Sequence, residues 1–372
     1  MNRRLSSFLR TYDKLILRFI NFFYKIFNVN LEKRAKSLLF FPSSTFTKFY
    51  IKKIIKHYNI DLIHQHSHYR MGKYSLEIAK SMKIPYIYEV RGFIEESTLA
   101  TARSWRLQDT KLVNLAYNRI KEQETKILKE ADLIITLSDV MKKELIKRRL
   151  DQNKIDIIPN CIEVNQFKNI KMEHNLRKEL DIDGELIVGY FGQIRWLEGI
   201  ETLIKSIPII LKNGINIRVV LIGNIEKNYS IFLKTHINKL NISKNVLFFG
   251  SMPQKELIPY YSIVDMIIIP RANKKVCRIV TPIKPIEAMR FNTLVIASDL
   301  PALRYSIIDN KTGALFKPEN EKDLAAKVIY YYRNPELKGE IEKYARKYVE
   351  ENFSWEKVIQ KYKKLYQNLL RI

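Results

Sequence analysis

The chain has 372 residues, 46% of them hydrophobic, and a formal net charge of +26 from 65 Lys and Arg against 39 Asp and Glu. That length exceeds what one ordinary core holds, so two domains are expected. The two cysteines, Cys161 and Cys277, offer neither a disulfide framework nor metal-ligand spacing, which excludes the disulfide-rich secreted class and fits a reducing compartment.

Residues 1–60 hold thirteen Lys and Arg against Asp13 and Glu32 alone. An excess of that size must face something anionic. Within it, residues 14–28 (KLILRFINFFYKIFN) place Lys14, Arg18, Asn21 and Lys25 on one narrow polar stripe opposite a broad apolar face. The charge and the amphipathicity together suit a helix lying in an anionic membrane surface, at the cytoplasmic inner face. A helix buried against the body of the protein fits the pattern equally. No run reaches the roughly 18 to 20 apolar residues of a membrane span, and no small-residue cleavage site follows, which speaks against a secretory signal. Nucleic acid is not expected, because the aromatics fall on an apolar helix face rather than in stacking motifs.

From Asp61 onward short apolar runs alternate with helical periodicity, the pattern of an α/β parallel sheet. Strands are expected at 61–66, 85–90, 131–137 and 154–159, with helices at 72–82, 107–129 and 138–149. After the polar stretch 165–184 a second block follows, with strands at 186–191, 217–222, 246–249, 266–269 and 294–297. Its helices are expected at 200–213, 229–240, 254–262, 282–291 and 324–334. The tail 338–372 reads as helix with a break near 351–354, and its last part is long enough to lie across the junction of two domains. The expected boundaries are a basic segment 1–60, a first Rossmann-like domain 61–170 completed by part of 1–60 and by helix 354–372, and a second Rossmann-like domain 171–353. No glycine precedes Gly72, so the usual strand, glycine loop and helix opening of such a domain is not in residues 1–71. Either the first domain is abbreviated or an N-terminal portion is lacking.

The most informative stretch is TPIKPIEAM, residues 281–289. Thr281 is expected as an N-cap, Pro282 at the first helical position, and Lys284 as a cation in the first turn, where unpaired backbone N–H groups attract phosphate. Glu287, about a turn further in, suits the hydroxyl pair of a ribose. Together they suggest a sugar nucleotide. His64, His66 and His68 alternate on a strand end; a zinc site is not expected, since no Cys or acidic residue with ligand spacing accompanies them.

The order of motifs resembles retaining glycosyltransferases of family 4, which have the GT-B fold of two Rossmann-like domains facing a cleft. On the acceptor side the resemblance is carried by DLIHQHS (61–67), IPYIYEVRG (84–92), ADLIITLS (131–138) and IPN (158–160). On the donor side it is carried by GYFG (189–192) with Arg195 and Glu198-Gly199, by NVLFFG (245–250), by IPR (269–271), by TPIKPIEAM and by ASD (297–299). The last motifs are similar to a subgroup marked by TPLKPLEAMA. Departures from most of the family are Glu198 in place of a Lys, Ile279 in place of a first Glu, Arg91 in place of a frequent His, Cys161 in place of a glycine and Tyr305 in place of another Glu.

The resemblance implies transfer of a sugar, with retention, from a UDP- or GDP-linked donor to a glycan or lipid-linked acceptor in cell-surface polysaccharide or glycolipid synthesis, without a metal or cofactor. It implies that Glu287, Lys284, Arg271 and Arg195 carry catalysis, the three cations meeting the departing diphosphate. Gly192, Glu198, Gly199, Gly250, Ser251, Thr281, Pro282, Ala288 and Met289 would contact the donor. His66, Arg91, Gly92 and Glu95 would lie on the acceptor side, with Glu95 or Glu96 either orienting an acceptor hydroxyl or pairing with Arg91. A non-catalytic subunit that binds nucleotide sugar without transfer is the alternative.

Overall fold

The computed structural model describes residues 44–104, 110–164, 176–182 and 184–370. The amphipathic stretch 14–28 and its membrane contact therefore lie outside the described residues. The chain divides after Ile60; before that point the described part is one helix, Ser44–Tyr58, with Lys56 and His57 in its last turn, where positive charge complements the helix dipole.

From Asp61 the chain forms two parallel sheets, the GT-B arrangement of two Rossmann-like domains. The first sheet has β1 (Ile63–His66), β2 (Tyr86–Val90), β3 (Leu133–Thr136) and β4 (Ile155–Ile157) in the order β1-β2-β3-β4. The second has β5 (Leu186–Phe191), β6 (Ile217–Ile222), β7 (Val246–Phe249), β8 (Met266–Ile269), β9 (Leu294–Ser298) and β10 (Ala314–Phe316) in the order β10-β9-β8-β5-β6-β7. Expected strands and observed ones coincide best where the apolar run is short and sharply bounded, as in β5 to β8. Of these, β5, β6 and β8 are central and almost wholly buried on both faces, leaving no alternation to misread, while β7 is the edge strand and only partly buried.

Period-2 geometry sends alternate residues to opposite layers. Leu186, Val188 and Tyr190 of β5 pack under helices Ile200–Lys212 and Glu321–Arg333, while Ile187 and Phe191 pack on the other face with Ile286 and Met289. In the first domain Tyr86, Tyr88 and Val90 point to one layer and Ile87 to the other.

The C-terminal crossing is also present. Helix Pro335–Asn352 contributes Ile341, Ala345 and Val349 to the core of the second domain. Phe353 and Ser354 then meet Ile162, with Ile162 N–H donating to Phe353 O at 2.8 Å and Trp355 N–H to Ile162 O at 3.1 Å. Helix Trp355–Leu370 packs Val358, Tyr362 and Leu365 onto Ile87, Ile135 and Ile158 of the first domain. The chain thus crosses between domains twice at one place.

Several elements differ from expectation. Helix Ile94–Ser104 was not expected, whereas the following helix, Thr110–Glu130, agrees over the described residues with the one expected at 107–129. The short helices Lys275–Ile279 and Pro301–Arg304 and the edge strand β10 were likewise not expected, being too brief to show a period. The helix expected at 282–291 runs Lys284–Arg290, with Ile283 at its N-cap and no side-chain cap.

Under helix Ile94–Ser104 lies a buried network in which one guanidinium serves two acids. Arg148 pairs with Glu95 and lies 3.5 Å from Glu124, all three almost wholly buried, and Tyr88 Oη donates to Glu124 at 3.1 Å. Burial, then the neighbouring Glu95, pushes Glu124 up to about 7 against the pull of Arg148. An acid raised in the folded state costs stability as pH rises from its unfolded value through its folded one. Thermal melts of the wild type should therefore lose more stability than those of Glu124→Gln between about pH 4.5 and about pH 7. Parallel pH profiles of the two proteins would contradict the assignment.

Candidate active site

Parallel α/β sheets place ligand sites beyond the C-terminal ends of their strands. Here three adjacent strands end in glycine: β5 at Gly192, β6 at Gly223 and β7 at Gly250. Gly192 (φ +139°) and Gly223 (φ +145°) adopt backbone that other residues avoid, and their chains cross so closely that a Cβ on Gly223 would strike Gly192 O. A Cβ on Gly192 would strike the Lys284 side chain. Side-chain-free backbone is what lets Lys284 lie across the end of β5. Gly223 was not singled out in the sequence, although its Ile222-Gly223-Asn224 setting at a strand end is the available signal.

At the centre sits Glu198, 2% exposed, on the turn Trp196–Glu198 after β5. Lys284 Nζ lies 3.1 Å from its Oε2 and Arg195 Nε 3.6 Å from its Oε1. Burial alone would raise this carboxyl, but Lys284, Arg271 and Arg195 outweigh burial and hold it at about 2. Arg271, 5% exposed, donates through Nη1 to Val280 O at 2.9 Å. Three cations against one carboxylate leave an excess of two positive charges. Moreover, Nε of Arg195 and Nε of Arg271 are buried without a hydrogen-bond partner among the described residues, which a folded chain seldom tolerates without a ligand or water to satisfy them. The structure therefore brings Arg195, Glu198, Arg271 and Lys284 together. Gly199 follows directly and opens helix Ile200–Lys212.

Glu287 lies in the first turn of helix Lys284–Arg290. Burial raises its carboxyl, with Lys284 and Arg290 opposing, and among the described residues the side chain has no hydrogen-bond partner. Gly250 and Ser251 are exposed beyond β7. Ala288 and Met289, expected to contact the donor, are fully buried in the core, backbone included, and present no surface to a ligand.

Thr281 does not cap its helix. Its Oγ1 donates to Ser138 Oγ at 2.8 Å, across to the first domain, and Pro282 precedes the helix instead of opening it. Asn160 completes this tie: its Nδ2 donates to Thr281 O at 3.2 Å while its Oδ1 accepts from Arg91 Nη2 at 2.8 Å. The side chain expected to cap is spent on joining the domains.

On the acceptor side Arg91 pairs with neither Glu95 nor Glu96. Its Nη1 donates to Glu89 Oε1 at 2.6 Å. Glu95 is spent on Arg148, and Glu96 accepts from Lys275 at 2.5 Å and Tyr117 at 2.7 Å. Glu95 is thereby removed from the acceptor face: helix Ile94–Ser104 turns its first-turn acids inward. Glu89, not anticipated, is fully buried, lies 3.1 Å from His64 Nε2 and 3.6 Å from His66 Nδ1, and accepts from Tyr362 Oη at 2.8 Å. Burial opposes its charge, yet these groups and Arg91 hold it at about 2. The acidic neighbour that the histidine spacing lacked thus comes from the next strand, since register sets His66 beside Glu89. Arg91 and Tyr362 already satisfy that carboxylate. His66 remains exposed, and Arg91 and Gly92 line a concavity of about 510 Å³ together with Ser67 and Thr98.

A family model described as "Glycosyl transferases group 1" matches residues 172–348, and one described as "Glycosyltransferase Family 4" matches residues 26–166. The chain is 26% identical over 282 residues to alpha-monoglucosyldiacylglycerol synthase of Streptococcus pneumoniae, covering 74% of this chain and 60% of that protein. It is 25% identical over 245 residues to the capsular polysaccharide biosynthesis glycosyltransferase CapM of Staphylococcus aureus, covering 64% of this chain and 62% of that protein. The chain thus spans about three fifths of the length of these curated relatives. Anabaena HepE in complex with UDP-glucose has the same fold, with a TM-score of 0.70 at 16% identity over 86% of this chain and 82% of that one. Glycosyltransferase domains therefore occupy both halves of the chain, and these matches together with the GT-B fold support a glycosyltransferase of a family 4-like kind.

Removing the central carboxylate should leave three cations unpaired. Glu198→Gln is expected to lose roughly 1 to 3 kcal/mol in chemical denaturation, discounted for the partial exposure of Lys284 and Arg195. Inorganic pyrophosphate should restore part of that loss by binding the folded state. Wild-type stability in this variant would show that the cluster is not held by charge.

Proposed function

We propose that this chain transfers a sugar, with retention, from a nucleoside diphosphate sugar to a hydroxyl of a glycan or lipid-linked acceptor. The observation that carries this reading is the surplus of positive charge, with Arg195 Nε and Arg271 Nε making no hydrogen bond among the described residues, at glycine-ended strands of a GT-B fold. A diphosphate supplies the missing acceptors and the missing negative charge. Arg195, Arg271 and Lys284 then stabilise the charge that develops on the diphosphate oxygen as its bond to the anomeric carbon breaks. The acceptor hydroxyl forms the new bond to that carbon on the same face, and its proton passes to the departing phosphate oxygen. Glu287, whose side chain makes no hydrogen bond among the described residues, accepts hydrogen bonds from the ribose.

HepE, with this fold, has been crystallised with UDP-glucose, which supports testing uridine donors first. One relative is named as an alpha-monoglucosyldiacylglycerol synthase and another for capsular polysaccharide biosynthesis, which supports a glycolipid or glycan acceptor. Calorimetry with UDP, GDP and ADP should find one diphosphate that binds, and Glu287→Gln should weaken it about 10- to 100-fold without changing the melting temperature of the free protein. An unchanged affinity would remove Glu287 from the ribose site. Nucleotide binding with no transfer to any acceptor would favour the non-catalytic alternative.

The basic N-terminal segment supports a peripheral location on an anionic membrane. None of the described helices is long and apolar enough to cross a membrane. In liposome flotation with phosphatidylglycerol vesicles, the full chain should float and a version lacking residues 1–30 should float less, the difference shrinking with salt. Equal flotation of the two would contradict the membrane assignment.

A further inference from the structure

A second concavity, of about 680 Å³, lies between helix Ile94–Ser104 and the donor-binding domain. Its size is in the range of small-molecule sites. Two of its wall residues, Leu197 and Ala272, are the chain neighbours of Glu198 and Arg271, so it adjoins the cation cluster.

Its lining joins an aromatic platform to several polar groups. The Trp196 ring lies 4.5 Å from that of Tyr229 and 4.7 Å from that of Phe232. Trp196 Nε1–H is buried and has no hydrogen-bond partner among the described residues, whereas a buried indole N–H normally finds one. Glu201, Asn228, Lys274 and Glu319 line the same space. Glu201 accepts from Tyr229 Oη, and Glu319 accepts from Asn273 N–H at 3.1 Å, so each carboxylate keeps further acceptor capacity. Glu319 also holds left-handed backbone (φ 60°), a conformation that costs a non-glycine residue on the order of 1 kcal/mol and tends to occur at ligand sites.

These features favour one ligand chemistry over another. A hydrocarbon chain would displace water from the carboxylates and leave them without partners. A pyranose lays its C–H face on an aromatic ring while its hydroxyls accept from the indole N–H and donate to carboxylates. We propose that this pocket is an acceptor-side subsite for a hexose unit, with Trp196 and Phe232 as the platform and Asn228, Glu201, Glu319 and Trp196 Nε1 as hydroxyl partners. The proposal rests on the transferase reading above and deepens it: the acceptor is saccharide-bearing rather than a bare lipid.

The test is saturation-transfer NMR on the full chain with UDP present, using maltose, cellobiose, lactose and melibiose as probes and dodecyl phosphate as the acyl control. At least one disaccharide should receive saturation. Its binding should weaken about tenfold in Asn228→Ala and in Glu319→Gln, while UDP affinity by calorimetry stays as in the wild type. Trp196→Phe, which keeps a ring and removes the N–H, should weaken the sugar without abolishing it. The subsite is overturned if none of the four sugars binds, if the substitutions leave their binding unchanged, or if dodecyl phosphate is the probe whose binding the substitutions reduce. Failure of UDP to bind the wild type would instead contradict the donor assignment, and the sugar result would be read separately.

Discussion

The arrangement depends on one buried carboxylate surrounded by three cations. Glu198 could not be charged at 2% exposure without compensation, because moving an isolated carboxylate out of water is prohibitive. Lys284, Arg271 and Arg195 more than compensate it, and holding them close together is itself unfavourable without an anion. The result is a cluster assembled around an internal acid and still positively charged. Arg195 comes from the turn after β5, while Arg271 and Lys284 both come from the connection between β8 and β9, Arg271 just after β8 and Lys284 at the start of helix Lys284–Arg290. Only a fold that gathers these ends along one edge can build it.

Contacts across the two domains hold that edge in place. Thr281 reaches Ser138, Asn160 spans Thr281 and Arg91, and Lys275 is gripped by Glu96 and Glu144. The loop ahead of Lys284 is therefore tied at Thr281 to the tips of strands in the first domain. The double crossing at Ile162 and Ser354 anchors both domains near one point. Glu89 plays the matching part on the acceptor side, where it fixes Arg91, His64 and Tyr362 of the C-terminal helix around one fully buried acid. In both domains a buried carboxylate organises the basic groups nearest the cleft.

Much of this was legible in the residues themselves. The strands β5 to β8 follow from apolar runs with sharp polar ends, and the grouping of Lys284, Arg271 and Arg195 was expected from the motifs that carry them. What was not legible depends on register and on which partner a side chain chooses. Glu89 stands beside His66 only because two parallel strands align there, and no spacing in the chain announces it. Glu95 looked available because it follows Arg91 closely, but a helix of eleven residues turns it toward Arg148. Thr281 has the chemistry of a cap, yet a hydroxyl in the neighbouring domain claims it. The unsatisfied N–H groups of Arg195, Arg271 and Trp196 are a property of packing alone.

On the function proposed above, the surplus charge around Glu198 holds a diphosphate. A crystal structure of the protein grown with UDP tests it most directly. The account predicts the diphosphate within hydrogen-bond distance of Nε of Arg195 and of Arg271 and close to Lys284 Nζ, with Glu198 still buried beneath them. A nucleotide bound elsewhere, with the three cations closed on Glu198 and touching no phosphate, would contradict it.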